Sequence, residues 1–319
     1  MNKLGVRRSD RRLAFNDIST LPRHKRRVTS HILQFYSAVD NIGNYTPILG
    51  IQKFLGFECD VWNIHRTPID FEYINRTYKA IIIGGAGLLH RVFTGFWEEV
   101  AQSSHLPAVI WGVGGCFLDD ETGSMAPKSI VRRVASIASH VNVRDKLTAE
   151  YYDFHEASIS PCPTVNWLQP WKRTDEAARD SALYVSHPEL ERHDDRDAIN
   201  SELRSTGIRY SFTDNIQRPR LGLYDIINRL YRPAGVVITT RLHGAIIAAG
   251  LGIPYIALAR DEKVRAFARE WGGGCVIEST SDLAPTLNGD VPFARELNPK
   301  FYTAGQEFAL TVRTWLNSL

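Results

Sequence analysis

The chain predicts an α/β protein of two Rossmann-like, doubly wound domains, and three observations carry that expectation. Short runs rich in Ile and Val stop at glycine or a polar residue, as strands of a parallel sheet buried on both faces do. Helical patterns lie between these runs, which implies right-handed βαβ crossovers. The rhythm breaks over the charged segment Lys172–Asp180 and then restarts, which places a linker there.

In the first half, strands are expected at Ser30–Tyr36, Asp60–Ile64, Ala80–Ile83, Ala108–Gly112 and Val141–Arg144. Helices fall between them at Tyr45–Leu55, Phe96–Gln102 and Ser129–Ser139, and a sixth extended piece, Ala157–Ser160, leads into Pro161 and Pro163. In the second half, strands are expected at Leu183–Ser186, Ile208–Phe212, Val236–Thr240, Tyr255–Leu258 and Cys275–Ile277. Helices are expected near Asp194–Ser205, Leu223–Tyr231, His243–Gly250, Lys263–Trp271 and Asp282–Leu287. Phe308, Val312, Trp315, Leu316 and Leu319 recur near helical spacing, so Tyr302–Leu319 reads as a closing helix. The domains are then 28–172 and 181–301, followed by a helix over 302–319 near the domain junction.

Composition bounds the function. With 319 residues, 44% hydrophobic and 23% charged, the chain is long enough for two soluble domains. The longest nearly uncharged apolar stretch, Gly244–Ala259, falls short of the ~20 residues of a membrane-spanning helix. No signal-peptide pattern is visible, so a cytoplasmic location is expected. Cys59, Cys116, Cys162 and Cys275 are far apart and read as free thiols. Residues 1–27 hold nine Lys/Arg against two Asp, a charge of +7; the whole chain is +3, leaving −4 for the remainder. That balance excludes nucleic acid as a partner of the folded body. The basic tail reads as a disordered extension, or as a peripheral contact with the inner membrane surface at about 1 kcal/mol per basic residue.

The most informative stretch is Val236–Phe267. A β-branched run ends in Arg241-Leu242-His243-Gly244 and delivers an arginine and a histidine to a helix mouth, where free N–H groups and the helix dipole favour anions. Gly244 would let the backbone approach the ligand. A second run ends before Asp261, Lys263 and Arg265. Upstream lie Asn41-Ile42-Gly43-Asn44, Ile83-Gly84-Gly85-Ala86-Gly87, Gly112-Val113-Gly114-Gly115 and Val143-Arg144-Asp145. In this order, over roughly residues 35 to 270, these pieces resemble the polysaccharide pyruvyltransferase family. Resemblance implies a two-domain GT-B-type enzyme that moves pyruvate from phosphoenolpyruvate onto a sugar as a cyclic ketal, usually on an exopolysaccharide or cell-wall glycan precursor. It also implies a sugar or lipid-linked oligosaccharide as acceptor, and no cofactor besides the donor substrate.

That chemistry needs cations for a phosphate and a carboxylate, an acid for the methylene carbon and a base for the hydroxyls. Arg241 is the expected bidentate clamp, Lys263 a point charge, and Arg144 a further donor ligand at an N-domain strand tip. His243 is the expected acid, held protonated by a nearby phosphate. Asp40, Asn41, Asn44 and Gly85 are the acceptor-side candidates. Family members commonly carry Asn-x-Gly-Asp where this chain has Asn44, so an amide replaces the expected base. Duller readings stand beside these. Arg144 with Asp145 is equally a local ion pair, Lys263 beside Asp261 and Glu262 equally a solvated helix start, and Arg260 and Arg265 read as surface charges.

Gly84, Ala86 and Leu89 do not make the GxGxxG pattern, which disfavours nicotinamide binding. His65, His90, His105, His140, His155 and His187 lack metal-ligand spacing, so no metal is expected. Trp111, Trp167, Trp171 and Tyr45 are candidates for sugar stacking, with core packing the default. Two other functions share the expected architecture: a GT-B glycosyltransferase using a nucleotide sugar, and a non-catalytic glycan-assembly protein.

Overall fold

The structure is a computed structural model that describes residues 15–37, 39–115, 124–173, 181–289 and 296–319. It contains two parallel sheets. The N-terminal one is built from β1 (Ile32–Tyr36), β2 (Asp60–Asn63), β3 (Ala80–Gly84), β4 (Ala108–Val113), β5 (Ala138–Val143) and β6 (Ser158–Ile159), in the order β2-β1-β3-β4-β5-β6. The C-terminal one is built from β7 (Ser181–Val185), β8 (Arg209–Thr213), β9 (Val236–Thr239), β10 (Tyr255–Leu258) and β11 (Gly274–Ile277), in the order β11-β10-β9-β7-β8. Residues of β1, β3, β4, β9 and β10 are buried throughout, which is why their sequences are continuous apolar runs.

The N-domain helices are α1 (Ile42–Leu55), α2 (Phe71–Thr77), α3 (Thr94–Ser103), α4 (Lys128–Ile137), α5 (Lys146–Tyr152) and α6 (Thr164–Leu168). Those that follow are α7 (Asp195–Ser205), α8 (Leu223–Asp225, continuing as a π-helical turn over Ile226–Tyr231), α9 (Leu242–Gly250), α10 (Glu262–Trp271), α11 (Leu283–Asn288) and α12 (Ala304–Leu316). Both sheets reverse their strand order once, between β1 and β3 and between β7 and β9. Connections leave such a point toward opposite faces and open a crevice at the carboxyl ends of the strands.

Several expectations are corrected. Ala138 and Ser139, expected at the end of a helix, are strand, and β5 begins three residues before the expected Val141, because Ala138 and His140 pair with Ala108 and Val109 of β4. Helices α2, α5 and α6 were not anticipated; at five to seven residues they carry too few turns for a periodic signal. Residues 15–27 are not a disordered tail. Ile18 is fully buried, Tyr36 donates to Asp17 at 2.8 Å, and Arg23 and Arg26 both pair with Asp70. Arg26 also lies over the rings of Trp62 and Tyr73 at 5.0 and 4.7 Å. Two of the charges assigned to a membrane contact are thus already paired; residues 1–14 lie outside the described residues, as do Cys116 and most of the expected linker.

Helix α12 crosses back to the N-terminal domain, where Phe308 and Val312 pack with Ile51, Leu55 and Trp111. The proposed sugar-stacking aromatics are used for packing: Trp111 is fully buried, Trp167 and Trp171 meet edge to face, and Tyr45 stacks on Phe15. Arg260 is not a surface charge. It is buried and forms a fork with Asp195, 2.6 Å on each arm, tying the end of β10 to α7.

Candidate functional site

A cavity of about 460 Å³ opens where the two reversal points face each other. From the N-terminal domain come Ser37, Asp40, Asn41 and Asn44 after β1, Ala86 to Leu88 with His90 and Phe93 after β3, and Arg144 after β5. From the C-terminal domain come His187 and Glu189 after β7, Arg241, Leu242 and His243 after β9, and Lys263 after β10. Of the residues expected from sequence, Arg241, His243, Lys263, Arg144, Asp40, Asn41 and Asn44 are therefore brought together.

Gly85 and Gly244 are not on this wall, and their smallness serves packing. A Cβ at Gly85 would lie 2.2 Å from Pro47 Cβ of α1, and one at Gly244 2.1 Å from Thr239 Oγ1 of β9. The space expected for a ligand at these glycines is filled by protein. Two other glycines make room for the site itself. A Cβ at Gly43 would come 2.5 Å from His243 Cγ, and one at Gly114 2.0 Å from Arg144 Nε.

Arg241 lies two residues beyond the end of β9 and is the N-cap residue of α9, so its side chain leaves at the helix mouth. Its Nε donates to Ser186 O at 3.2 Å, which leaves the other guanidinium nitrogens for a ligand. Behind it Glu191 gathers four donors. Tyr184 OH (2.8 Å), Thr240 Oγ1 (2.6 Å) and His187 N (3.0 Å) donate to Oε1, and Ser186 Oγ (2.8 Å) to Oε2. This carboxylate fixes the end of β7, and with it the carbonyl that holds Arg241.

Arg144 is 4% exposed. It donates to Gly115 O at 2.8 Å and to Asp145 Oδ2 at 3.2 Å, so it is both an ion pair and a cavity wall. Lys263 is not a solvated helix start. Its side chain is 11% exposed and its Nζ lies 2.9 Å from Asp261 Oδ2, while Asp261 caps α10 through Val264 N.

His243 sits in the first turn of α9, 8% exposed, with Nε2 at 3.8 Å from Cys162 Sγ. Burial, then Arg144, Arg241 and Lys263, push its pKa well below the ordinary imidazole value. The protein's own charges thus keep it neutral near pH 7, and the expected imidazolium requires a bound anion to offset those cations. His187 is pulled down to about 3 by burial, Arg241 and Lys263, and its buried Nδ1 has no partner. His90 is lowered by burial and by Lys263 and Arg91; its Nδ1 accepts Val92 N–H at 3.2 Å, leaving the proton on Nε2.

Sequence reasoning set His90 and His187 aside as isolated histidines. The usable signal was position: His187 directly follows Ser186 at the tip of β7, and His90 lies in the segment after β3, where open α/β sheets gather ligands. Among the described residues, no group of three His, Cys, Asp or Glu is placed to hold a metal ion, and no helix is long and apolar enough to cross a membrane.

Known structures share the architecture. A putative UDP-N-acetylglucosamine 2-epimerase of Listeria monocytogenes matches with a TM-score of 0.54 at 8% identity, covering 90% of this chain and 97% of that one. The UDP-GlcNAc 2-epimerase of Methanocaldococcus jannaschii in complex with UDP-GlcNAc and UDP gives 0.56 at 10% identity, covering 89% and 99%. MnaA of S. aureus with UDP gives 0.53 at 7% identity, covering 90% and 97%. At such identities the likeness is one of fold: two Rossmann-like domains in a GT-B-like arrangement. No curated protein sequence matches the chain significantly. The family model for polysaccharide pyruvyl transferase matches residues 41–262, from the first cavity loop to the start of α10, and the chain belongs to that family.

Proposed function

We propose that this pyruvyl transferase takes its pyruvyl group from phosphoenolpyruvate and closes a ketal across two hydroxyls of a sugar in an exopolysaccharide or cell-surface glycan precursor. One observation carries the reading: Arg144, Arg241 and Lys263 converge from two domains on the cavity that holds His243. Arg144 and Lys263 each have one carboxylate partner, at Asp145 and Asp261, whereas Arg241 is held by a backbone carbonyl; a small molecule bearing both phosphate and carboxylate gives Arg241 its anion and engages the other two, which a neutral sugar does not.

In this reading Arg241 forks onto one anionic group, and Lys263 and Arg144 neutralise the other. Burial and their positive field hold His243 neutral, and the donor offsets the field. The imidazole gains a proton and passes it to the terminal methylene, making the central carbon electrophilic. A sugar hydroxyl adds there, phosphate departs, and a second hydroxyl closes the ring. Asn41, Asn44 and Asp40 position the hydroxyls; Asn44 both donates and accepts. A lipid-linked acceptor at the cytoplasmic membrane face belongs to the same proposal, with the basic N-terminal segment as the contact.

The test is donor dependence. Phosphoenolpyruvate plus a glycoside mixture should release inorganic phosphate and give a ketal methyl signal in proton NMR. Release of nucleoside diphosphate from nucleotide sugars, with none of phosphate from phosphoenolpyruvate, would replace this reading by glycosyl transfer.

A further inference from the structure

Closing a ketal removes two protons from the acceptor, so the wall that meets it needs an outlet for protons. The imidazoles lining the cavity are poor outlets, since His243 is committed to the methylene, and His187 and His90 are lowered by burial and by the neighbouring cations. A fourth imidazole stands one residue behind the wall. Strands β1 and β2 pair with Tyr36 opposite Asn63, and Ile64 N donates to Tyr36 O at 2.9 Å, so the residues after both strands emerge side by side. Ser37 follows β1, is 3% exposed and lines the cavity; its Oγ lies 2.8 Å from His65 Nε2. His65 is itself exposed to solvent. Its turn is fixed by His65 N donating to Asn63 Oδ1 at 3.1 Å, and its ring meets the edge of Phe93 at 5.7 Å.

We propose that Ser37 and His65 form the proton exit of the acceptor site, with Ser37 touching the reacting sugar hydroxyl and His65 taking the proton behind it. The inference rests on the pyruvyl-transfer reading and deepens it. As the hydroxyl oxygen bonds to the central carbon of the donor, its O–H bond breaks and the proton passes to Ser37 Oγ. The proton of Ser37 passes in the same step to His65 Nε2. The exposed imidazolium releases a proton to solvent, and exchange with water restores the starting tautomer. The second hydroxyl loses its proton by the same route as the ring closes; of the two protons released to solvent, one equals the proton that His243 supplies to the methylene and the other the proton that the departed phosphate takes up, so nothing is oxidised or reduced. The inner part of the His65 ring, packed against Phe93, is partly buried, and this partial burial lowers its pKa, which keeps it neutral near pH 7.

The experiment compares wild type, Ser37→Ala, His65→Gln, His65→Ala and Asp40→Asn. Phosphoenolpyruvate binding is measured by calorimetry, and phosphate release is followed with a mixture of methyl galactoside, glucoside and mannoside. The expected result is donor affinity within about twofold of wild type in Ser37→Ala and His65→Gln, with kcat lower by roughly 10²-fold or more. Added imidazole should restore part of the rate of His65→Ala, because that site is open to solvent; a merely structural role would not respond. Wild-type turnover in Ser37→Ala with loss in Asp40→Asn overturns the exit and moves the base to Asp40. Failure of wild type to bind phosphoenolpyruvate, or binding without phosphate release from any glycoside, overturns the transfer reading and the exit with it.

Discussion

The two walls of the cleft share one winding and differ in what they present. At the reversal point of the C-terminal sheet the strand ends carry His187, Arg241 and His243; at that of the N-terminal sheet they carry Ser37, Asp40, Asn41 and Asn44. The first wall is locked from behind, by Glu191 with its four donors and by Asp261 under Lys263. Much of the second is carried on a loop and the first turn of α1, with Asp40 exposed and Asn41 and Asn44 half-buried. A rigid basic wall suits a small donor that is the same in every cycle, and a polar loop suits an acceptor that varies between glycans. Arg144 breaks the division, because the N-terminal domain lends this cation to the cavity, where the proposed reading assigns it to the donor.

The hardest test of this division is a pair of substitutions on opposite walls. His243→Gln should lower kcat by roughly 10²–10⁴-fold while donor affinity changes little. Asn44→Ala should leave donor binding alone and raise the acceptor KM. If His243→Gln weakens donor binding and spares kcat, the imidazole is a phosphate ligand and the acid lies elsewhere. Next in size, Arg241→Ala or Arg144→Ala should weaken phosphoenolpyruvate binding by roughly 10–100-fold, the range for a charge-assisted hydrogen bond of about 1.5–3 kcal/mol. Calorimetry reads this directly, and equal affinities in the Arg144 variant would return that residue to a structural ion pair.

A substitution across the junction asks whether the walls meet as described. Gly43→Ala places a methyl against His243 from the opposite domain, an overpacking of about 1–3 kcal/mol. Activity should fall by about tenfold or more with the fold retained. Unchanged kinetics would mean that the start of α1 and His243 do not approach each other in solution.

How much of this was legible in the sequence follows from range. Both sheets, most helices and the cations were readable, because a buried strand, a helix start and an RLHG junction are local patterns. Gly43 and Gly114 could not be read as making room for His243 and Arg144, since each partner lies far along the chain. The same holds for Arg260, whose partner Asp195 is 65 residues away. His65 was visible only as an isolated histidine, because its meaning depends on the pairing of β1 with β2. Asp70 and Asp145 cap α2 and α5, yet a cap before so short a helix does not stand out from a polar loop.

The smallest expected effect compares the walls through their protons. Glu270 of α10 accepts Lys146 N–H at the start of α5 at 2.7 Å, and its other oxygen is buried without a partner. Burial, with Asp145 nearby, pushes its pKa up to about 7. Between the usual glutamate value and 7 the folded protein binds this proton more readily than the unfolded chain, so Glu270 makes stability fall as pH rises through that window. His187 and His243 act with the opposite sign. Their folded pKa values lie below the unfolded one of about 6.5, so the unfolded chain takes the protons and stability is lost as pH falls below that value. His65, His90 and His140 are lowered by burial in the same sense, so the histidine protons outnumber that of Glu270 and Tm rises on balance from pH 5 to about 7, less steeply than it would without Glu270. In Glu270→Gln the rise should steepen, while His187→Asn should flatten it. A Tm profile of Glu270→Gln that superimposes on wild type would show that this carboxyl is solvated, and that α10 does not press on α5 as closely as the 2.7 Å contact implies.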